Sequence, residues 1–257
     1  MNTPTEAWAW LQRELDAWQA AGLQACFWWR DDDAVEPTPK LERMLQLGSE
    51  HGAPLALAVI PGRLGNGLDD FLQAYESCSV LQHGYDHSSH APPGVRKLEL
   101  GGTRATADIE ADLAQGFEVL QQGFGARFTP VLVPPWNRVE ARVLQRLAAI
   151  GFRGISTMKV RRKAFAAQGL LQVNTHLDPV NWRNNGGFIG LYPAIAILVQ
   201  HLIARRTGYR DLDEPTGILT HHLVQEEPVW RFLGNLLAFL QAHPAACWID
   251  APTIWKP

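Results

Sequence analysis

Short apolar runs alternate with longer amphipathic segments along most of the chain. The apolar runs are bounded by Gly, Pro, Asn or Asp, which is typical of strands buried on both faces. They cover residues 25–30, 55–60, 80–82, 130–133, 154–157, 171–175, 217–220 and 246–249. Segments with the period of an amphipathic helix cover residues 39–51, 105–122, 140–150 and 227–242. This alternation predicts a parallel sheet, because parallel neighbours need a crossover connection.

The number of predicted strands favours closure of the sheet. About eight strand and helix units in 257 residues fit an α/β fold, a distorted parallel (β/α) barrel of seven or eight strands. No repeat or linker divides the chain, so residues 1–257 are predicted to form a single domain. A helix at about residues 5–20 is expected to pack on the outside. The apolar run at 188–203 is interrupted by polar residues and is expected to be a packed helix rather than a membrane span.

Composition narrows the class of protein. The chain is 46% hydrophobic and 19% charged with a formal net charge of -3, which indicates neither a nucleic-acid nor a membrane partner. Cys26, Cys78 and Cys247 are far apart and lie in or beside apolar segments, which favours buried thiols over a disulfide framework. Residues 1–18 lack the basic start and unbroken apolar core of a signal peptide, so a cytoplasmic location is expected.

Chemically active side chains follow the predicted strands, each at the carboxyl end. They are Asp31, Asp32, Asp33, His83, His87, Pro134, Pro135, Trp136, Asn137, His176, Asp178, His221 and His222. In a parallel barrel the carboxyl ends of the strands share one rim, where active sites are built. Residues about 190 positions apart in the chain are therefore expected to converge on one mouth.

The densest cluster of such side chains is a histidine-rich segment after the third predicted strand. His83, His87 and His90 fall within eight residues. Histidines four residues apart can converge on one cation, and neutral imidazole is a common zinc ligand. A polar surface loop is the alternative, and the position of the segment at a strand end favours the metal site.

The aspartates and the paired histidines each leave alternatives open. Asp31, Asp32 and Asp33 could form a solvated loop or an N-cap for the helix that follows. At a strand end, two of these carboxylates could instead provide one metal ligand and one general base. Only one of His221 and His222 is expected to face the cleft, because side chains alternate along a strand.

In their order along the chain, these segments resemble the motifs of polysaccharide deacetylases with the NodB homology domain, also called carbohydrate esterase family 4. The resemblance covers about residues 25–223. The first motif of that family is a strand ending in Asp-Asp, and Asp32-Asp33 fits it best, with Asp31-Asp32 as the other register. The resemblance implies that Asp32 is the general base and Asp33 a metal ligand.

The second motif, His-Ser/Thr-x-x-His, resembles the segment from His83 to His87. The resemblance implies that both histidines are metal ligands, although Gly84 stands where the family carries a hydroxyl residue. His90 lies outside the motif and is expected at the rim, either supporting the ligands from behind or facing the substrate.

The third motif, Arg-x-Pro followed by an aromatic residue or glycine, resembles residues 133–137. Val133 occupies the arginine position, so the group that orients the base in relatives is missing there. Arg30 and Arg138 are the candidates to replace it. The predicted substrate-binding residues are Arg30, His90, Pro135, Trp136, Asn137 and Trp182.

The fourth and fifth motifs supply the acid side of the reaction. Asp178-Pro179-Val180-Asn181-Trp182 resembles Asp-Ser-x-Asp-Trp and keeps its first aspartate and its tryptophan. The apolar strand ending at His221 resembles the fifth motif, with His222 as the second choice. The resemblance implies that the histidine is a general acid supported by Asp178.

The resemblance implies a metal-dependent hydrolase that removes N-acetyl groups from an N-acetylated sugar or glycoconjugate. One divalent metal is expected, zinc first, with cobalt, nickel and manganese also compatible with the ligands. The expected partner is a small-molecule or oligosaccharide substrate. Hydrolysis of another amide or a cyclic imide, and a non-catalytic binding role, are the alternatives.

Residues 181–188 are predicted to form either a mobile loop near the mouth or a plain surface connection.

Overall fold

A computed structural model describes residues 3–182 and 186–256. The helices are α1 Pro4–Ala20, α2 Pro39–Glu50, α3 Leu68–Leu72, α4 Thr106–Phe124, α5 Ala141–Leu144, α6 Leu147–Ile150, α7 Leu191–Arg206, α8 Glu227–Ala242 and α9 Ala251–Ile254. The strands are β1 Ala25–Ala34, β2 Leu55–Val59, β3 Cys78–His83, β4 Phe128–Val133, β5 Gly154–Ile155, β6 Phe165–Ala167, β7 Leu170–Gln172, β8 Val180–Asn181, β9 Gly187–Phe188, β10 Thr216–Thr220 and β11 Ala246–Trp248.

A mostly parallel sheet forms the centre of the molecule. Its strand order is β10-β1-β2-β3-β4-β5-β7-β6, and only the β6–β7 pairing is antiparallel. Strands β2 and β10 are buried along their whole length, as expected for strands covered on both faces. The predicted α/β class with a mostly parallel sheet is confirmed.

The two ends of this sheet meet through a single bridge. Leu177, beyond β7, pairs in parallel with Ile218 of β10. The Leu219 N–H donates to the Leu177 carbonyl at 2.7 Å, and the Leu177 N–H donates to the Gly217 carbonyl at 3.1 Å. Among the named strands no full ladder joins β7 to β10. The predicted barrel is therefore distorted, and among the described residues the named strands do not form a closed ring.

Several predicted boundaries were wrong, mostly where elements are short. The predicted strand at 246–249 is confirmed as β11, but among the described strands it pairs only with the amino-terminal part of β1 and lies off the main strand order. The predicted helix at 140–150 is two short helices, interrupted where the Arg146 N–H bonds to the Val143 carbonyl. Strands of two or three residues, such as β8 and β9, are too short to show a period in the sequence.

Helix α1 lies on the outer surface against α7 and α8. Thr3 and Glu6 form a reciprocal capping box at its start. The Trp10 ring stacks on Tyr192 of α7 with centroids 5.7 Å apart, and Trp8 packs on Phe232 of α8. In the described part of the chain, no helix combines the length and hydropathy required to cross a bilayer.

The interior of the barrel is filled from alternate positions of the strands. Trp28, Leu81, Val131 and Val133 belong to one buried cluster, closed off by Trp255. Because β1 side chains alternate, Arg30 and Asp32 follow Trp28 on this same inner face towards the carboxyl end. The carboxyl end of the interior is thus polar.

Candidate metal centre and active-site cavity

A bulge at the end of β1 brings two consecutive aspartates to one mouth. Asp31 is aligned with Leu57 of β2, while Ala34 is aligned with Val59, so β1 carries one extra residue in this interval. Asp33 has a positive φ of 71°. In a regular strand Asp32 and Asp33 would face opposite sides, but a bulge can re-aim a side chain. Both carboxylates line a single cavity.

Positive φ angles cluster at this mouth. Among the described non-glycine residues with positive φ, Asp33, His87, Trp136 and Asn137 all line the cavity, and Lys159 is the fifth such residue. Such conformations are rare outside glycine and persist where the surrounding structure over-determines them, often at functional sites.

Asp33, His83 and His87 form a three-residue set with metal-ligand geometry. Asp33 Oδ1 lies 3.2 Å from His83 Nε2 and 3.4 Å from His87 Nε2. One ligand atom from each residue lies within 4.8 Å of the other two. Two imidazoles and one carboxylate are a typical donor set of catalytic zinc sites, in which a fourth position stays open.

The tautomer of His83 also fits a metal ligand. Its Nδ1 lies 2.9 Å from the Val133 carbonyl, which can only accept, so Nδ1 carries a proton and Nε2 is the nitrogen directed at Asp33, where a metal would take the place of its proton. Histidine ligands commonly donate their second N–H in this way, which fixes the orientation of the ring. The residues present therefore fit a divalent metal.

Electrostatics at the set favour positive charge. Burial opposes ionisation of Asp33, but the hydrogen bond from His83 and the nearby imidazoles outweigh it and hold the pKa of Asp33 well below its ordinary value. Burial also opposes protonation of His83, but Asp32 and Asp33 raise its pKa. Burial and the neighbouring His83 lower the pKa of His87. The negative potential that favours a proton on His83 would also stabilise a cation.

Asp32 is held by Arg30 inside the barrel. Arg30 Nε donates to Asp32 Oδ1 at 2.8 Å, and Nη2 donates to Oδ2 at 3.0 Å. Arg30 Nη1 donates to the Ser156 hydroxyl at 2.7 Å, and Nη2 also reaches Asn137 Oδ1 at 3.4 Å. Of the two arginines considered as replacements at the Val133 position, Arg30 makes this contact. Arg138 instead donates to the Lys97 carbonyl.

His221 faces the cavity from the other side of the mouth. Its Nδ1 lies 3.9 Å from Asp178 Oδ2, and no closer partner for this nitrogen exists among the described residues. The Trp182 Nε1–H donates to the same Asp178 oxygen at 2.7 Å, and the Trp182 ring meets His221 edge-on at 4.7 Å. Burial raises the pKa of Asp178, although His221 and Trp182 oppose the shift.

Asp31 and His222 form a separate buried pair behind the cavity. His222 Nδ1 lies 2.5 Å from Asp31 Oδ1, and the Thr220 hydroxyl donates to Asp31 Oδ2 at 2.7 Å. Both residues are almost fully buried, and neither lines the cavity. The structure thus brings Asp32, Asp33 and His221 together and leaves out the other register and the second histidine.

The cavity has a volume of about 560 Å³. Trp136, Asn137 and Trp182 line it, as predicted for substrate-binding residues. Three predicted substrate contacts do not: Arg30 is fully buried and pairs with Asp32, His90 is exposed on the following loop, and Pro135 is buried behind the turn. The tip of the predicted loop at 181–188, residues 183–185, lies outside the described part of the chain.

Sequence reasoning missed several residues that shape the site. Ser156, Lys97 and Met158 carry no motif, and they reach the site through strand ends or rim loops. Glu99 is buried and accepts the backbone N–H groups of Tyr85 and Asp86 at 2.6 and 3.1 Å, which fixes the loop between His83 and His87. A lone glutamate in a polar stretch gives no signal in the sequence.

The fold is shared with enzymes of carbohydrate esterase family 4. The family 4 acetyl xylan esterase from Clostridium thermocellum, in complex with a cobalt ion, matches with a TM-score of 0.57 at 14% identity over 90% of each chain. The Streptococcus mutans CE4 esterase matches with a TM-score of 0.56 at 12% identity, over 93% of this chain and 88% of that one.

A fungal deacetylase has the same fold. The chitin deacetylase from Colletotrichum lindemuthianum matches with a TM-score of 0.54 at 15% identity over 91% of both chains. No family model and no curated protein sequence matches the chain. The resemblance inferred from the five motifs is confirmed for the NodB-like fold, which is what identities this low can show.

Proposed function

We propose that the protein is a metal-dependent hydrolase that removes N-acetyl groups from an N-acetylated sugar or glycoconjugate. One observation carries the proposal: a carboxylate held by an arginine, a three-ligand set and a histidine all line the same cavity. Each part alone has a structural explanation. Together they supply a base, a metal position and an acid around a space large enough for a sugar residue.

Asp32 acts as the general base in this proposal. The two hydrogen bonds from Arg30 fix its orientation, and its carboxylate lines the cavity beside Asp33. A base must lie within hydrogen-bond reach of the proton it removes, and Asp32 can take that proton from a water attacking the acetyl carbonyl carbon.

Asp33, His83 and His87 would hold a divalent ion, for which we propose zinc. Bound there, such an ion supplies Lewis-acid polarisation and an acidified water. Cobalt, nickel and manganese are compatible with the same donors.

His221 acts as the general acid. The nitrogen of a departing amine must be protonated, because an amine anion is a very poor leaving group. His221 reaches the cavity from β10, across from the aspartates of β1, and Asp178 lies beside its Nδ1. The carboxylate can orient the imidazole and stabilise its protonated form.

Trp136 and Trp182 provide aromatic surface for the sugar. The Trp136 ring packs against His87 with centroids 4.5 Å apart, and 55% of Trp182 is exposed. Exposed aromatic rings at a cavity mouth offer flat apolar area for a sugar ring. We expect a substrate of monosaccharide or oligosaccharide size.

The proposal is tested by metal content and product release. N-acetylglucosamine oligomers, an O-acetylated xylan and a cyclic imide are supplied to the protein reconstituted with zinc. We expect acetate together with a free amine from the first substrate, and loss of bound zinc in His83→Ala but not in the neighbouring His90→Ala. Turnover confined to the ester or the imide would replace the N-deacetylase assignment by an alternative chemistry. A His83→Ala protein that keeps its zinc would overturn the metal site.

A further inference from the structure

Two cations line the rim of the catalytic cavity without an acidic partner. Lys97 and Arg138 both line the cavity that contains Asp33 and His221. No carboxylate forms an ion pair with either of them among the described residues. Several other exposed cations of the protein, such as Arg43 and Arg146, are paired with glutamates. The rim pair therefore offers uncompensated positive charge next to the reaction site.

These two cations are held in place together. The Lys97 Nζ lies 5.6 Å from the centroid of the Trp136 ring, a cation–π contact. Arg138 Nη1 donates to the Lys97 backbone carbonyl at 2.8 Å, which leaves its other N–H groups available. A backbone bridge between Leu100 and Val139 ties the two segments to each other. These contacts thus hold the two cations in a defined arrangement at the rim.

The carboxylates of the cavity do not neutralise the positive charge of Lys97 and Arg138. Asp32 is neutralised by Arg30, and Asp33 belongs to the metal-ligand set. Of the carboxylates that line the cavity, only Asp178 remains, and burial raises its pKa. A cleft with one sign of charge attracts ligands of the other sign and raises their association rate.

We propose that Lys97 and Arg138 form an anion subsite, and that the substrate is an N-acetylated sugar that carries a phosphate or carboxylate group. This inference rests on the proposed N-deacetylase function. The planar guanidinium of Arg138 suits bidentate recognition of either oxyanion, and the Lys97 ammonium adds a point charge. Trp136 lies between this subsite and the metal ligand His87, so the sugar ring would bridge the two.

The test compares neutral and anionic substrates on the zinc-loaded protein. The probes are N-acetylglucosamine, its 1-phosphate and 6-phosphate, and N-acetylmuramic acid, which separates phosphate from carboxylate as the recognised anion. We expect kcat/KM for at least one anionic sugar to exceed that for N-acetylglucosamine at least tenfold. The double variant Lys97→Gln/Arg138→Gln should lower that preference at least fivefold, mainly through KM.

A matched control removes two positive charges far from the rim. Arg153 precedes β5, and Lys256 follows Trp255, whose ring packs against Gly154 at the start of that strand. Both are exposed and lie at the opposite end of the barrel. Arg153→Gln/Lys256→Gln should keep the preference. Equal kcat/KM for neutral and anionic sugars, or a preference that survives Lys97→Gln/Arg138→Gln, overturns the subsite while deacetylation stands.

If no probe releases acetate, the proposed function fails, and binding of the same sugars decides the subsite separately. Calorimetry should then show at least tenfold tighter binding of an anionic sugar than of N-acetylglucosamine, lost in Lys97→Gln/Arg138→Gln. Equal or absent binding overturns the inference.

Discussion

Arg30 and Asp32 form a bidentate ion pair inside the barrel, with Nε to Oδ1 at 2.8 Å and Nη2 to Oδ2 at 3.0 Å. The two residues share a face because they are two positions apart on β1. The third motif of carbohydrate esterase family 4, which residues 133–137 resemble, carries arginine where this chain has Val133. Here the guanidinium comes from β1 itself, the strand that also carries Asp32, the proposed base.

Removing this guanidinium should reduce both stability and turnover. Arg30→Met leaves the Asp32 carboxylate buried and unpaired, which costs about 3–5 kcal/mol of unfolding free energy. A misoriented base should also lower kcat about 100-fold or more. Arg30→Lys keeps the positive charge but cannot donate both hydrogen bonds to Asp32. Its unfolding free energy and kcat should lie between those of Arg30→Met and wild type. Urea unfolding and acetate-release kinetics measure the two effects.

The control for this variant is another bidentate pair. Arg206 donates to both oxygens of Glu14 at 2.8 and 2.9 Å, between α7 and α1. Arg206→Met should lower stability and leave kcat unchanged. Wild-type kcat in folded Arg30→Met would refute a role for Arg30 in orienting the base.

Neighbouring histidines should separate catalysis from stability. His221→Ala removes a side chain that faces the cavity, so kcat for an N-acetyl substrate should fall about 100-fold or more with little change in the unfolding midpoint. His222→Ala removes the buried partner of Asp31 and should cost about 3–5 kcal/mol of unfolding free energy. The reverse pattern, with the large stability loss in His221→Ala, would exchange the two roles.

Any side chain at position 84 should destabilise the protein. The φ of Gly84 is +59°, and a Cβ there would overlap Glu99 Oε2 and come within 2.6 Å of Pro135 Cγ. Gly84→Ala is expected to cost more than the roughly 1–2 kcal/mol of a left-handed residue alone and to weaken zinc binding, because the loop carries His83 and His87. Gly94→Ala is the control, since Gly94 also has positive φ and has no atom within 4 Å of its Cβ position. Equal effects of the two substitutions on zinc affinity would show that the crowding at Gly84 does not shape the metal site.

Stability should fall in mild acid because of a buried histidine pair. His201 and His176 stack with ring centroids 3.6 Å apart. Burial, with His176 and Arg205, lowers the pKa of His201 to about 2. Burial also lowers the pKa of His176, although Glu214 opposes the shift. The unfolded chain therefore binds more protons below about pH 6.5, and each such proton should remove about 1.4 kcal/mol per pH unit.

Urea unfolding at pH 7.5, 6.0 and 5.0 measures this dependence. His201→Gln removes one titrating group, so its unfolding free energy should decrease less than that of wild type between pH 6.5 and 5. Identical slopes for wild type and variant would show that His201 does not titrate as proposed.

The sequence predicted most of the site because its residues lie at strand ends. Alternating apolar runs located β1, β3, β4 and β10, and the geometry of parallel strands placed Asp33, His83 and His221 at one rim. The sequence could not choose between the aspartate registers, because the choice depends on the bulge between Asp31 and Ala34. It also could not show that Arg30 reaches Asp32, since the alternation of side chains becomes informative only once the inner face is known.

Closure of the sheet was similarly beyond the sequence. Counting apolar runs suggested up to eight strands in a ring, but β11 lies beside β1, and the bridge at Leu177 follows a strand of only three residues. A single backbone bridge leaves no period in the sequence.

The most direct test of the central claim is the simultaneous measurement of acetate and free amine released from an N-acetylglucosamine oligomer. The chelated protein is assayed before and after reconstitution with zinc, as wild type and as Asp32→Asn. We expect equal amounts of acetate and amine only from zinc-loaded wild type, with at least a 100-fold loss in Asp32→Asn. Equal turnover with and without zinc, or undiminished turnover in Asp32→Asn, would contradict zinc-dependent N-deacetylation with Asp32 as the base.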